Sequence, residues 1–428
     1  MDKKWVYKPE ADQTQINELA EALNINHLLA NLLIQRGINT FDKAKTFFRP
    51  ALEDLYDPFR MKDMNLAIER IEKAVQHHQK IMVFGDYDVD GTTSVALVYS
   101  FLKKYYENIY YYIPDRYEEG YGISYKGINY ASENNISLII ALDCGIKAVK
   151  KIDYANSLGI DFIICDHHTP DEKIPEAVAI LDPKRPDCNY PFKGLSGCGV
   201  GFKMLEAFAK TNNIPINELY EFLDLVAVSI ASDIVPIIDE NRILTHFGLK
   251  QLNSNPRPGL KSIMNIAGIG GKNHEIIVEE IVFRIGPRIN AAGRIESAKK
   301  AIELLITEKQ KKAEQIAEKV NTCNESRKHI DRHITQEALK MISMEPGFRE
   351  KKATVLYNSE WHKGVVGIVA SRMIEIYHRP TIILTASNGL ATGSARSVPG
   401  FNVYNALEQC SDLLENFGKN IGLAFQIA

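Results

Sequence analysis

Short, unbroken apolar runs recur through the first half of this chain, and most of them stop at an acidic residue. IMVF (81–84), LIIAL (138–142), DFIIC (161–165) and AVAIL (177–181) lack the polar alternation of a half-exposed strand. Runs of this kind are strands buried on both faces, which implies a parallel sheet with helices on either side. The intervening segments supply the helices. Residues 62–79, 92–104, 125–135 and 147–157 carry apolar residues at helical spacing, with Leu66, Ile68, Ile71 and Val75 on one side of the first. NIYYYIP (108–114) reads as a further strand. Ligands of such sheets gather beyond the carboxyl ends of the strands. That is where this chain concentrates its Asp and His residues.

A length of 428 residues exceeds one ordinary core and predicts two or three domains. Residues 1–50 form an N-terminal helical segment, in which ELAEALNINHLLANLLIQRGI stops at Gly37. An α/β domain is expected over 51–260, its residues 199–250 mainly helical. The stretch 261–345 is a connector whose charged part, 307–343, reads as one long solvated helix. Residues 346–428 form a smaller α/β unit: strand ATVLY, helix 364–377, strands TIILT and ATGSARS, helix 402–416. The predicted fold class is therefore α/β, a parallel-sheet domain joined by a long helix to a smaller α/β domain.

Composition excludes some classes of protein. With 45% hydrophobic and 25% charged residues, the chain has the balance of a soluble globular protein. A net charge of −3 does not advertise a polyanion partner, although clustered carboxylates at one site can mask a basic groove elsewhere. None of the six cysteines forms a CxxC pair, and Cys144 and Cys165 lie in apolar runs, so reduced buried thiols are expected. MDKKWVYKPEADQTQ has no apolar signal core, and no apolar run reaches membrane-spanning length. The compartment expected is the cytoplasm, with no membrane partner.

Four segments carry the chemistry. GDYDVDGTTS (85–94) places Asp86, Asp88 and Asp90 directly after a buried strand and before a helix, with Gly91 permitting a tight turn. Three carboxylates so close repel one another unless cations neutralise them. Hard oxygen donors suit Mg²⁺ or Mn²⁺. A solvated turn or a helix N-cap would give the same letters, but an EF-hand would not. Its twelfth position needs Glu, and counting from Asp86 or Asp88 reaches Leu97 or Tyr99. Asp143 ends the strand in ALDCGI, where an ordinary helix-capping Asp is the plainer explanation. CDHHTP (165–170) offers an imidazole ligand and a carboxylate able to orient it. Asp233 closes the apolar helical stretch in AVSIASDIVPI. Taken together, these groups suffice for a two-metal site that clamps the attacking and leaving oxygens of a phosphoester.

The ordered set DxDxDG, DCG, DHH, SD resembles the signature of the DHH phosphoesterases. The flanks DRYEEGYGIS, LDPKRPDCNYPF, LSGCGVGFK, ASDIVP and FRIGPRINAAGRI are similar to those of the RecJ exonucleases. WHKGVVGIVASRM, RPTIIL and GSARSVPGFNVYNAL resemble the DHHA1 domain. The resemblance implies a metal-dependent 5′→3′ exonuclease of single-stranded DNA, serving DNA repair and recombination with Mn²⁺ or Mg²⁺. It implies metal ligands at Asp88, Asp90, Asp143, His167 and Asp233, with Asp86 in or just behind that set and Asp143 bridging. His168 would face the scissile phosphate, and Asp166 would orient an imidazole. Ser394, Arg396 and Ser397 of GSARS, with Arg288, Asn290 and Arg294 on a Gly/Pro-framed loop, would hold a terminal 5′ phosphate. Arg116 and Tyr121 would guide the strand by charge and stacking. Single-stranded DNA is the implied substrate, with a single-stranded-DNA-binding protein and a helicase as implied partners.

Two departures bear on these expectations. The DHHA1 unit of this family closes on a GGH-type motif, whereas FGKNIGLAFQIA stands here with only Gly418 matching. The family's OB-type domain is also not in the sequence. The expectation is a C-terminally truncated chain that grips long strands weakly and releases them after few cuts. Two other functions compete: a phosphoesterase of short oligonucleotides, cyclic dinucleotides or pyrophosphate, and a non-catalytic DNA-binding scaffold. Retention of every matched ligand disfavours the scaffold.

Overall fold

The structure, a computed structural model, describes residues 5–271, 274–387, 389–414, 416–420 and 422–427. The chain forms two compact units, Met1–Gly286 with Ile302–Glu314, and Pro287–Ala301 with Gln315–Ala428. In the first unit, α1 (Gln13–Leu23), α2 (His27–Ile34) and α3 (Phe41–Phe48) each start on a polar cap, Asp12, Asn26 and Thr40. Each cap accepts backbone amides the helix cannot satisfy itself. These helices close a small core around Ile16, Leu19, Ala30, Leu33 and Ala44. α4 (Met64–Gln76) buries Met64, Ala67, Ile68, Ile71 and Ala74. Leu66 departs from the reading that placed it on this face: it lies off the stripe and is 48% exposed.

Five parallel strands follow: β1 (Lys80–Gly85), β2 (Ile109–Tyr112), β3 (Ile136–Leu142), β4 (Asp161–Cys165) and β5 (Ala179–Leu181). Their order is β2-β1-β3-β4-β5. Between them run α5 (Val89–Lys103), α6 (Tyr125–Glu133) and α7 (Val149–Ser157), and α8 (Gly197–Thr211) comes after β5. Alternate strand residues point to opposite faces. Met82, Phe84, Ile139, Ala141, Phe162 and Ile164 pack with Ile128 and Ala131 of α6 and Ile152 and Ala155 of α7. The other face lies under α5 and α8. There Gly201 comes so near that an added Cβ would sit 3.3 Å from both Leu142 and Val98. Because β1 has β2 on one side and β3 on the other, the winding reverses between β1 and β3. The gap opened at such a reversal is where parallel sheets bind ligands.

The first unit continues through α9 (Asn217–Tyr220), α10 (Leu223–Ser232), α11 (Asp239–Ser254), α12 (Pro258–Ala267) and α13 (Val278–Glu280), then a π-helical turn, Ile281–Ile285. Next come α14 (Gly286–Ile295), α15 (Lys299–Ile306) and α16 (Gln310–Met344). The 35 residues of α16 match the long charged helix expected from the sequence, and it begins in the first unit and continues in the second. GPRINAAGR, by contrast, is no loop: it lies in α14. Gly-Pro usually punctuates a helix, but the wider π turn ahead of it accommodates a proline that a regular helix would reject.

In the second unit, β6 (Thr354–Tyr357), β7 (Thr381–Ser387), β8 (Leu390–Arg396), β9 (Asn416–Asn420) and β10 (Gly422–Ile427) form a sheet of order β6-β7-β8-β10-β9. β6 and β7 are parallel and the other pairs antiparallel. α17 (Val366–Tyr377) packs Val366, Val369, Ala370 and Met373 with Trp361, Ile383 and Ile334, Ala338 and Ile342 of α16. The helix expected over 402–416 is shorter. α18 spans Val403–Glu408, a 3₁₀ turn covers Ser411–Leu413, and pairing with β10 then takes the chain as β9.

Candidate metal centre

The carboxyl ends of β1, β3 and β4 bring the sequence motifs together. After β1, Asp86 is fully buried; its Oδ1 accepts the Gly122 amide at 3.4 Å and its Oδ2 has no hydrogen-bond partner among the described residues. Asp88 caps α5, its Oδ1 accepting the Gly91 amide at 2.9 Å, so the plain capping role is real and leaves the second oxygen for another duty. Gly91 is not the tight turn read from the sequence. It lies inside α5 without a positive φ, and glycine is required because the Asp86 backbone is so close.

Asp90 is held by groups that sequence reasoning missed. Its Oδ2 accepts the Gly197 amide at 2.6 Å, and its Oδ1 accepts the Cys198 amide at 2.8 Å and the Ser229 hydroxyl at 2.7 Å. The first turn of α8 therefore presents its free amides and the positive end of its dipole to this carboxylate. Ser196 caps that helix and shares a hydrogen bond with Ser229. The run of small residues SGCG (196–199) was the available signal. An added Cβ at Gly197 would sit 2.6 Å from the Asp143 Cβ.

Asp143 follows β3 with φ at +58° and donates its amide to the Cys165 carbonyl at 2.9 Å. After β4, Asp166 accepts the amides of His167 and His168 on Oδ1 and that of Ile146 on Oδ2, and His168 Nδ1 lies 2.7 Å from its Oδ1. Asp166 thus orients His168. His167 Nδ1 lies 3.1 Å from the Leu195 carbonyl, which can only accept, so the ring's proton sits on Nδ1. The Nε2 lone pair then faces carboxylate oxygens of Asp143 at 3.1 Å, Asp233 at 3.6 Å and Asp90 at 3.7 Å. Asp233 arrives as the C-cap of α10. Asp143, His167 and His168 form one group whose ligand atoms lie within 4.8 Å of one another, and Asp90, His167 and Asp233 form a second. Asp86 and Asp88 flank these groups without joining them.

A lone pair converging with anionic oxygens repels them unless a cation lies between. Hard carboxylates with one imidazole form a donor set that suits Mn²⁺ or Mg²⁺. The residues fit such ions, and the buried, unpartnered Oδ2 of Asp86 is one more negative group in need of a counter-charge.

The same crowding sets the proton affinities. Burial first, then the charges of Asp90, Asp88, Asp233 and Asp166, push the Asp143 carboxyl far above its usual range. Burial and Asp88 do the same to Asp86, and burial with Asp90 and Asp88 lifts Asp233 to about 8. Burial opposes charge on His168, but the bond and charge of Asp166, with Asp233 and Asp88, prevail and raise it to about 9. Groups that bind protons more tightly folded than unfolded stabilise the fold at low pH and lose that stabilisation as pH rises through the folded pKa. The metal-free chain is therefore expected to lose stability from about pH 4, the free carboxyl value, through about pH 9. Thermal melts in chelator should show a lower Tm at about pH 9 than at about pH 5, with Mn²⁺ removing the difference. A metal-free Tm that holds or rises over that interval would refute the cluster's charge balance.

The remaining candidates fall in two places. In the first unit, the Arg116 guanidinium lies 4.6 Å from the Tyr87 ring centre, Tyr87 meets Tyr121 edge-on at 5.9 Å, and Tyr121 meets His168 edge-on at 6.3 Å. Tyr121 also donates its hydroxyl to the Asp143 carbonyl at 3.4 Å. In the second unit, Arg396 bonds Ser394 at 2.8 Å and Ser371 at 3.2 Å, and both Ser394 and Arg396 border Gly367 at the start of α17. Arg288 donates to Asn321 at 3.1 Å and Arg294 to the Gly364 carbonyl at 3.0 Å. Asn290 is half-buried on α14. Ser397 donates its hydroxyl to the Phe401 carbonyl at 2.5 Å.

Residues 80–230 match the model of the DHH family N-terminal domain, and residues 350–419 match the DHHA1 domain. The single-stranded-DNA-specific exonuclease RecJ of Bacillus subtilis is 41% identical over 409 residues, covering 95% of this chain and 51% of its own length. This chain thus spans about half of that relative. The Escherichia coli protein of the same name is 34% identical over 401 residues, covering 90% of this chain and 68% of its own. Among solved structures, Thermus thermophilus RecJ in complex with Mn²⁺ superposes with a TM-score of 0.82 at 28% identity, covering 98% of this chain and 59% of that one.

Proposed function

This chain belongs to the RecJ family, and on that premise we propose that it hydrolyses the phosphodiester bonds of single-stranded DNA from the 5′ end, using two divalent cations. One observation carries the reading: the proton-free nitrogen of His167 and the carboxylates of Asp90, Asp143 and Asp233 converge at the sheet's winding reversal. Asp88, Asp90, Asp143, His167 and Asp233 would hold the ions, with Asp143 shared between them and Asp86 behind. When bound, the ions supply charge neutralisation on the phosphate and an activated water. Asp166 keeps His168 oriented, so that its Nε2–H can donate to the scissile phosphate. Arg116 and Tyr121 would steer the strand. Ser394, Arg396 and Ser397, with Arg288, Asn290 and Arg294, would bind terminal and backbone phosphates, the Arg side chains through paired N–H donors. The reading extends to repair and recombination in the cytoplasm, beside a single-stranded-DNA-binding protein and a helicase.

The test is digestion of 5′- and 3′-labelled single strands with Mn²⁺ or Mg²⁺, beside dinucleotide and pyrophosphate substrates. The 5′ label should leave at once as a mononucleotide while the 3′-labelled strand shortens stepwise. Loss of all activity in chelator, restored by Mn²⁺, should accompany it. Preferential turnover of dinucleotide or pyrophosphate would replace this reading with a small-substrate phosphoesterase.

A further inference from the structure

Among the described residues, nine that are not glycine have a positive φ, and eight of them are Asn, Asp or His, the types that tolerate a left-handed backbone. The ninth is Ile234, at +58°. A β-branched side chain adopts this conformation only at an energetic cost, and such cost persists where the surroundings impose it. The surroundings here are firm. On one side the Asp233 amide closes α10 on the Ser229 carbonyl at 2.9 Å. On the other, the fully buried Asn241 side chain donates to the carbonyls of Pro236 at 3.0 Å and Gly194 at 2.6 Å.

Core packing does not repay the strain, because Ile234 is 76% exposed. An exposed isoleucine alone would mean nothing. Strain and exposure in one residue, bonded directly to Asp233 of the metal centre, call for a use outside the fold.

We propose that Ile234 is a substrate contact, an apolar wedge that packs against the sugar and base of the nucleotide whose phosphate lies at the metal centre. The inference rests on the exonuclease reading above. Deoxyribose rings and the flat faces of the bases are largely apolar and common to all nucleotides, so a branched aliphatic side chain grips them without choosing a sequence. The left-handed backbone is what turns that side chain out of the loop while Asp233 turns in.

Steady-state digestion of a 5′-phosphorylated single strand with Mn²⁺ tests this in the full chain and in Ile234→Gly, Ile234→Asn and Ile234→Leu. Gly and Asn suit the backbone and lack the wedge; Leu keeps it. KM should rise roughly tenfold in the Gly and Asn variants, the low end for a lost apolar contact, with kcat moving less than about twofold. The Leu variant should stay near the parent. A strand whose first nucleotides lack bases should narrow the gap between parent and Gly variant. Tm in the Gly and Asn variants should match or exceed the parent's, and Mn²⁺ affinity by calorimetry should be unchanged. Parental KM in both variants overturns the inference. So does a joint fall of Mn²⁺ affinity and kcat, which would make Ile234 a support for Asp233 only. A parent chain that digests no strand overturns the exonuclease reading, and this inference with it.

Discussion

Asp143→Asn is expected to lower turnover at least about a thousandfold, roughly 4 kcal/mol of transition-state stabilisation, while leaving the fold in place. The substitution removes the charge nearest His167 Nε2, at 3.1 Å, and keeps the shape. Stability should respond in the opposite sense. Without cations, Asp143 is a buried acid pressed by four neighbouring carboxylates, so the neutral amide should raise Tm in chelator. The variant should also gain less Tm from Mn²⁺ than the parent, since a weaker site stabilises less by mass action. Asp143→Ala is the less clean experiment. At φ +58° alanine adds left-handed strain of about 1 kcal/mol that asparagine largely avoids. Near-parental turnover of Asp143→Asn at saturating Mn²⁺ would remove Asp143 from the centre.

Gly91→Ala should be a severely damaging single methyl in the first unit. By helix propensity alone, alanine at this first-turn position of α5 would stabilise by up to about 1 kcal/mol. The structure reverses the sign. The added Cβ would lie 2.4 Å from the Asp86 oxygen, 2.6 Å from its nitrogen and 2.7 Å from its carbonyl carbon. All three are backbone atoms, and none can swing aside as a side-chain tip could. Either α5 lifts from β1 or the Asp86–Asp88 loop shifts, and both scatter the ligands. The expected cost is about 3 kcal/mol or more, the upper range for overpacking, read as a lower urea midpoint at unchanged slope. Mn²⁺ affinity should fall with it. A midpoint at or above the parent's would show that the loop has room the structure denies it.

The sequence by itself determined the parallel sheet and where its chemistry lies. IMVF, LIIAL and FIIC are apolar at every position, and only a strand covered on both faces makes that pattern favourable. The Asp and His residues follow those runs directly, and a strand's end stays its end whatever packs around it. For the same local reason the charged periodicity of 307–343 foretold α16.

Contacts between residues far apart in sequence were a different matter. That Asp90 is pinned by the amides of Gly197 and Cys198 and by Ser229 depends on α8 and α10 reaching α5 across more than a hundred residues of chain. Which nitrogen of His167 is free was decided by the Leu195 carbonyl, a backbone atom with no letter in the sequence. GPRINAAGR looked like a loop because glycine and proline break regular helices, and only the π turn before it lets the helix continue. The strain at Ile234 had no local signal at all, since isoleucine is the residue local rules would place there last. Local pattern reports what a residue prefers; the tertiary structure alone decides where packing makes it adopt something else.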